Sequence, residues 1–170
     1  MLAKLLLLLA AVNAPCGPCR YSQAGVELTQ HFEGYSPFVY EDVAGKRTIG
    51  FGHLVIEGEY FEEPLLPHEA TDLLKRDLAV AERGVNRHVR VRLNQGQFDA
   101  LTDFTFNLGT GAFQSSTLLR VVNAEEHDAV PGQLMRWNKA RVNGRLQPVR
   151  GLTRRREAEV EFYNAGFDVD

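Results

Sequence analysis

The chain has 170 residues, of which 44% are hydrophobic and 24% charged. That is the length of one ordinary domain with enough apolar matter for a core, and it excludes a disordered, fibrous or wholly membrane-embedded polypeptide. The net charge of −3 hides an asymmetry: Ala129 to Arg156 holds eight basic residues (Arg136, Lys139, Arg141, Arg145, Arg150, Arg154, Arg155, Arg156) and no Asp or Glu. Such a stretch suits a polyanion, nucleic acid or an anionic cell wall, or else is a solvated face with ordinary ion pairs.

The first predicted element is an apolar leader. Met1 to Ala14 has Lys4, then Leu5 to Leu9, then Ala10, Ala11 and Val12, which reads as the charged, apolar and small-residue parts of an export signal. The run is too short to span a bilayer comfortably, which takes roughly 20 residues. Pro15 disfavours cleavage after Ala14, so the leading reading is an uncleaved export or signal-anchor segment. The alternative is a terminal helix that lays its Leu face on the body. Residues 1–21 are taken as the leader and 22–170 as the folded domain. Cys16-Gly17-Pro18-Cys19 has the spacing of a thioredoxin-type redox motif, but no βαβ pattern surrounds it. It reads as a local disulfide or a pair of inert thiols.

A helix is predicted from Gln23, with Val26, Leu28 and Phe32 on one face and Gly34 at its end. Pro37 to Tyr40 and Thr48 to Gly52 read as two strands around a turn near Ala44-Gly45, and a third strand is predicted near Glu57 to Phe61. Pro67 starts the next helix, with Ala70, Leu73, Leu74, Leu78 and Ala81 at helical spacing. Asn94 caps a helix through Phe98, Leu101 and Phe106, and Ser115 or Ser116 caps one at Leu118-Leu119. Further helices are predicted over His127 to Trp137 and Thr153 to Tyr163. One helix, a small hairpin sheet and then only helices gives an α+β fold: a small β-hairpin lobe, a larger all-helical lobe and an active-site cleft between them.

The chemistry concentrates between Phe32 and His53. Glu33 ends the first helix, Asp42 follows nine residues later at a strand end, and Thr48 six after that on the next strand. Glycoside hydrolysis needs one carboxylic acid to protonate the leaving oxygen and a second carboxylate to activate water or attack the sugar. Two carboxyls in different surroundings can take those roles because their pKa values separate. Spacing alone does not distinguish this pair from surface charge.

Ordered motifs do distinguish it. Phe32-Glu33-Gly34, Tyr40-Glu41-Asp42 and Thr48-Ile49-Gly50-Phe51-Gly52-His53 together resemble the active-site signature of the phage-type lysozymes, glycoside hydrolase family 24. Phe106-Asn107-Leu108-Gly109, Gln133-Leu134-Met135-Arg136-Trp137 and Gly151-Leu152-Thr153-Arg154-Arg155-Arg156-Glu157 resemble later segments of the same family, in the same order. The resemblance runs from about residue 22 to 166. It implies that Glu33 is the general acid, that Asp42 holds and activates the attacking water with inversion, and that Thr48 binds that water or shapes its site. It puts Arg155 beside the catalytic Glu and makes His53 and Asp77 a pair that supports the lobe junction. Leu54, Phe106, Thr117 and Gln133 fall where the family lines its sugar cleft, although plain core or cleft wall remains an equal reading for Leu54 and Phe106.

The implied substrate is peptidoglycan, cut between N-acetylmuramic acid and N-acetylglucosamine by a monomer. The implied place of action is the periplasm or wall after export, or the host cytoplasm before lysis. Transient membrane contact would run through the leader. No cofactor is expected, since no zinc-type cluster or phosphate-cradling loop occurs. No nucleic-acid partner is expected either, because aromatics do not interleave with the basic run. A catalytically idle wall-binding module and a basic nucleic-acid binder are the alternatives. Asp42 stands where some exported members carry a Cys held by a leader disulfide, so that activation switch is not expected. The segment Ala140 to Gln147 reads as an insert that lengthens a surface turn.

Overall fold

The computed structural model describes residues 19–42 and 45–165. Residues 1–18, most of the predicted 1–21 leader and including Cys16, lie outside them. Among the described residues Cys19 has no disulfide partner, and its backbone N–H donates to Asn86 Oδ1 at 3.0 Å.

Helix α1 (Gln23–Glu33) starts where Ser22 Oγ accepts from the Gly25 N–H at 3.0 Å. A cap of this kind is worth about 1 kcal/mol. Its face of Gly25, Val26, Leu28 and Thr29 is buried. Strands β1 (Ser36–Glu41), β2 (Arg47–Gly50) and β3 (His53–Leu54) form an antiparallel sheet in that order. Thr48 pairs with Tyr40 on one side and Leu54 on the other.

Helix α2 (Pro67–His88) opens on Pro67, and Glu69 reaches back to accept from the Leu66 N–H at 2.8 Å. Its 22 residues span about 33 Å. It links three apolar clusters. Ala70 and Leu73 pack with Ile49 and Leu65 under the sheet. Leu74 and Leu78 pack with Val26. Val85 enters the main core around Phe98, Leu101, Phe104, Phe113 and Leu134. The i, i+3/i+4 apolar stripe of this one helix therefore supports both lobes.

Helix α3 (Gln95–Leu108) begins with a reciprocal box: Asn94 Oδ1 accepts from the Gln97 N–H at 2.8 Å, and Gln97 Oε1 accepts from the Asn94 N–H at 3.0 Å. Helices α4 (Thr110–Gln114) and α5 (Thr117–Asn123) follow, and Ser116 rather than Ser115 caps α5. A 3-10 turn (His127–Ala129) leads into α6 (Val130–Met135), so the helix expected over His127 to Trp137 is split. Helix α7 (Arg150–Ala165) closes the described fold and packs on α3.

The architecture is α+β as expected, with two further local differences. The third strand is His53–Leu54, not Glu57 to Phe61. Gly58, at φ +88°, breaks the later segment, and the tight Gly50-Phe51-Gly52 turn brings the chain back into the sheet at once. The 140–147 segment is not a loose turn but a second antiparallel ribbon, β4 (Lys139–Val142) with β5 (Arg145–Pro148). Asn143 at φ 51° and Gly144 at φ 77° form its two-residue turn, the left-handed pair that matches strand twist.

Candidate active site

Glu33 is the last residue of α1 and is held from the far end of the chain. Arg155, on α7, donates Nη1 to Glu33 Oε1 at 2.5 Å. The same guanidinium forks onto Asp103 of α3, with Nε to Oδ2 at 2.8 Å and Nη2 to Oδ1 at 2.9 Å. A fork fixes the plane of the guanidinium, so the remaining Nη1 is aimed rather than free to wander. Phe32 adds a ring 5.6 Å from the Arg155 Cζ. Asp103 is fully buried, and Thr29 Oγ1 donates to its Oδ1 at 2.7 Å. Burial alone would raise the Asp103 carboxyl, but the Arg155 charge and these hydrogen bonds outweigh it and hold the pKa below the ordinary carboxylate value. Burial works against the Arg155 charge too, yet its two carboxylates keep it more firmly protonated than an ordinary arginine.

The other Glu33 oxygen faces the small lobe. A Cβ placed at Gly52 would stand 3.4 Å from Glu33 Oε2, and Gly52 has φ +81°. Any side chain there would be strained by that backbone conformation, and its Cβ would sit in contact with the carboxylate. The β2–β3 turn thus brings the sheet lobe against the helical glutamate.

Asp42 follows β1 and is half-buried. Its N–H donates to Lys46 O at 2.9 Å, and its Oδ1 accepts from the Lys46 N–H at 2.8 Å. Thr48 is buried, and its Oγ1 donates to the same Lys46 O at 3.1 Å. Asp42 and Thr48 therefore converge on one residue's peptide groups in the β1–β2 connection.

His53 bridges two carboxylates, with Nδ1 2.9 Å from Asp77 Oδ2 on α2 and Nε2 3.0 Å from Glu59 Oε2. Burial lowers its pKa, but the two hydrogen bonds and charges reverse the shift and raise it above the ordinary imidazole value. A raised folded pKa means the contribution to stability is complete below the unfolded value of about 6.5 and is lost as pH climbs through the folded one. The melting temperature of the wild type minus that of His53→Gln is expected to shrink as pH goes from about 5.5 to about 8.5. A difference that stays constant over that interval would show that the bridge carries no charge of its own.

The residues expected along the sugar path fall into two depressions. Leu54 and Phe106 line one of 520 Å³ with His53, Asp77, Glu59 and Arg76. Thr117 and Gln133 line one of 260 Å³ with Arg136 and Trp137. Sequence reasoning missed Asp103, Lys46 and Glu59. Only Asp103 left a signal: with Asp99 it forms an acidic pair one turn apart on an otherwise apolar face. Among the described residues no cluster of His, Cys, Asp and Glu suits a metal ion.

The family model described as phage lysozyme matches residues 30–159. The chain belongs to the phage lysozyme family. It is an enzyme of the lysozyme class, a glycoside hydrolase. It is 33% identical to an endolysin of Acyrthosiphon pisum secondary endosymbiont phage 1 over 144 residues, covering 85% of this chain and 97% of the relative. It is 34% identical to a SAR-endolysin of Escherichia phage Mu over 158 residues, covering 92% and 88%. The solved endolysin from Escherichia coli O157:H7 phage FAHEc1 superposes with a TM-score of 0.81 at 31% identity, covering 91% of this chain and 99% of that one. The matched residues run from the end of α1 through the sheet into α7 and include Glu33, Asp42, Thr48 and Arg155.

Proposed function

We propose that the chain hydrolyses the β-1,4 bond between N-acetylmuramic acid and N-acetylglucosamine in bacterial peptidoglycan, with inversion. The reading rests on the Arg155-anchored Glu33 set against Gly52 of a small sheet whose β1–β2 turn carries Asp42 and Thr48. Glu33 gives its proton to the glycosidic oxygen as the bond to the anomeric carbon breaks. Asp42 takes a proton from a water that attacks that carbon from the other face, and Thr48 orients the water. Arg155, itself fixed on Asp103, holds Glu33 in place through Oε1 while the proton moves. Leu54, Phe106, Thr117 and Gln133 line the glycan path.

The active unit is a monomer, since one chain supplies every group. Export to the wall fits the apolar leader and the kinship with SAR-endolysins. Among the described residues no helix is long and apolar enough to cross a membrane.

Clearing of a purified peptidoglycan suspension tests the reading. Asp42→Asn keeps an oxygen for the Lys46 N–H, so the turn survives, but it removes the base. The clearing rate is expected to fall by about 100-fold or more. A near-wild-type rate would remove Asp42 from the chemistry.

A further inference from the structure

The catalytic reading leaves the basic ribbon unused. Every residue from Arg141 to Pro148 is exposed, and among the described residues no salt bridge involves Lys139, Arg141, Arg145 or Arg150. The flanking chain adds no acidic side chain between Ala129 and Arg156. This is a concentrated positive surface in a chain whose net charge is −3.

Its register sorts the side chains. Lys139 lies opposite Pro148 and Arg141 opposite Leu146, and opposed residues share a face. On the other face Val142 lies opposite Arg145, and Ala140, half-buried, lies opposite Gln147. The first face therefore carries Lys139, Arg141 and Leu146, all exposed, with Leu146 at 66%. Val142, at 38% exposure, sits beside the turn. A two-residue turn makes the tip narrow, with Leu146 and Val142 close to it and cations on both sides.

We propose that this ribbon docks the enzyme on an anionic phospholipid surface, through Lys139, Arg141 and Arg145 over the headgroups and Leu146 and Val142 into their apolar boundary. Charge complementarity points to an anionic partner, and the exposed aliphatic pair selects among anionic partners. A soluble polyanion such as an acidic wall polymer or nucleic acid gives Leu146 nothing to bury against, whereas a lipid interface does. Each cation near such a surface strengthens binding by about fivefold, an effect confined to a Debye length and weakened by salt. Docking by this route is independent of the leader and of catalysis, and it would hold the body of the enzyme beside the membrane face of the wall.

The test is co-sedimentation of the full chain with phosphatidylglycerol-containing vesicles and with pure phosphatidylcholine vesicles. Any binding through the apolar leader is common to both, so the ribbon is read in the difference. Wild type is expected to prefer the anionic vesicles, and Arg141→Glu/Arg145→Glu to lose that preference by at least about tenfold. Binding to phosphatidylcholine, clearing of purified peptidoglycan and melting temperature should not change. Leu146→Ser is expected to weaken anionic-vesicle binding severalfold while leaving retention on dextran sulfate unchanged. An unchanged anionic preference in the double charge reversal overturns the proposal. So does a Leu146→Ser variant that binds vesicles like the wild type, which would make the ribbon a site for soluble polyanions instead.

Discussion

Glu33→Gln is expected to lower the rate of peptidoglycan clearing by at least about 100-fold, the scale of a general acid's contribution. The fold should survive. The amide that replaces the carboxyl keeps an oxygen for Arg155 Nη1, and Arg155 keeps its two hydrogen bonds to Asp103. The neighbouring Gly52 is unaffected, because the amide has the size of the carboxyl. Initial clearing rates and melting curves on the same preparations check both halves. A variant that clears peptidoglycan near the wild-type rate would move the acid to another residue.

The largest expected loss of stability comes from Arg155→Met. Its side chain is 5% exposed, and that of Asp103 is 0%. Removing one partner of a buried pair leaves the other charge desolvated and costs about 3–5 kcal/mol, whereas the intact pair is worth little over an apolar replacement. In a chain of this size that is a fall in melting temperature of about 6–20 °C at neutral pH. The wild-type Asp103 pKa is held low, so its stabilising effect exists above the unfolded carboxylate value and is lost on acidification. Without Arg155 the same carboxyl loses the charge that outweighs its burial, and its pKa rises. The deficit of Arg155→Met should therefore narrow as pH falls and the carboxyl takes up a proton. Adding Asp103→Asn to Arg155→Met removes the orphaned charge and should recover a large part of the lost stability without restoring full activity. If Arg155→Met melts within a degree or two of the wild type at neutral pH, the buried pair is not holding α3 to α7.

Most of the fold is legible in the sequence because its signals are local. The stripe Ala70, Leu73, Leu74, Leu78 and Ala81 becomes one buried face of α2, and Asn94 and Ser116 cap α3 and α5. The ribbon has a local signal too, since Asn143-Gly144 between β-branched and long side chains favours a hairpin. It reads only as a surface turn because no alternation of apolar and polar residues flanks it: both strands are solvated, so no core imposes that pattern. Glu57 to Phe61 misleads for the opposite reason, its aromatic pair suggesting a strand where the chain instead turns at Gly58.

The candidate site is legible residue by residue but not as a network. Glu33, Asp42 and Thr48 lie within 16 consecutive positions and stand out by their order along the chain. Asp103 lies 52 positions from Arg155, and nothing local marks it as the group that aims that guanidinium. Lys46 contributes only its peptide groups, which carry no side-chain signature. The four residues expected along the sugar path separate into two depressions, a grouping that depends on how α3, α5, α6 and the sheet pack.

The products of a digest test the central assignment most directly. Purified sacculi treated with the enzyme are reduced with borohydride, and the soluble fragments are identified by mass spectrometry. Cleavage on the proposed bond predicts fragments that all end in reduced N-acetylmuramic acid, at a rate abolished by Glu33→Gln. Fragments ending in reduced N-acetylglucosamine, or new amino termini without new reducing ends, would contradict it.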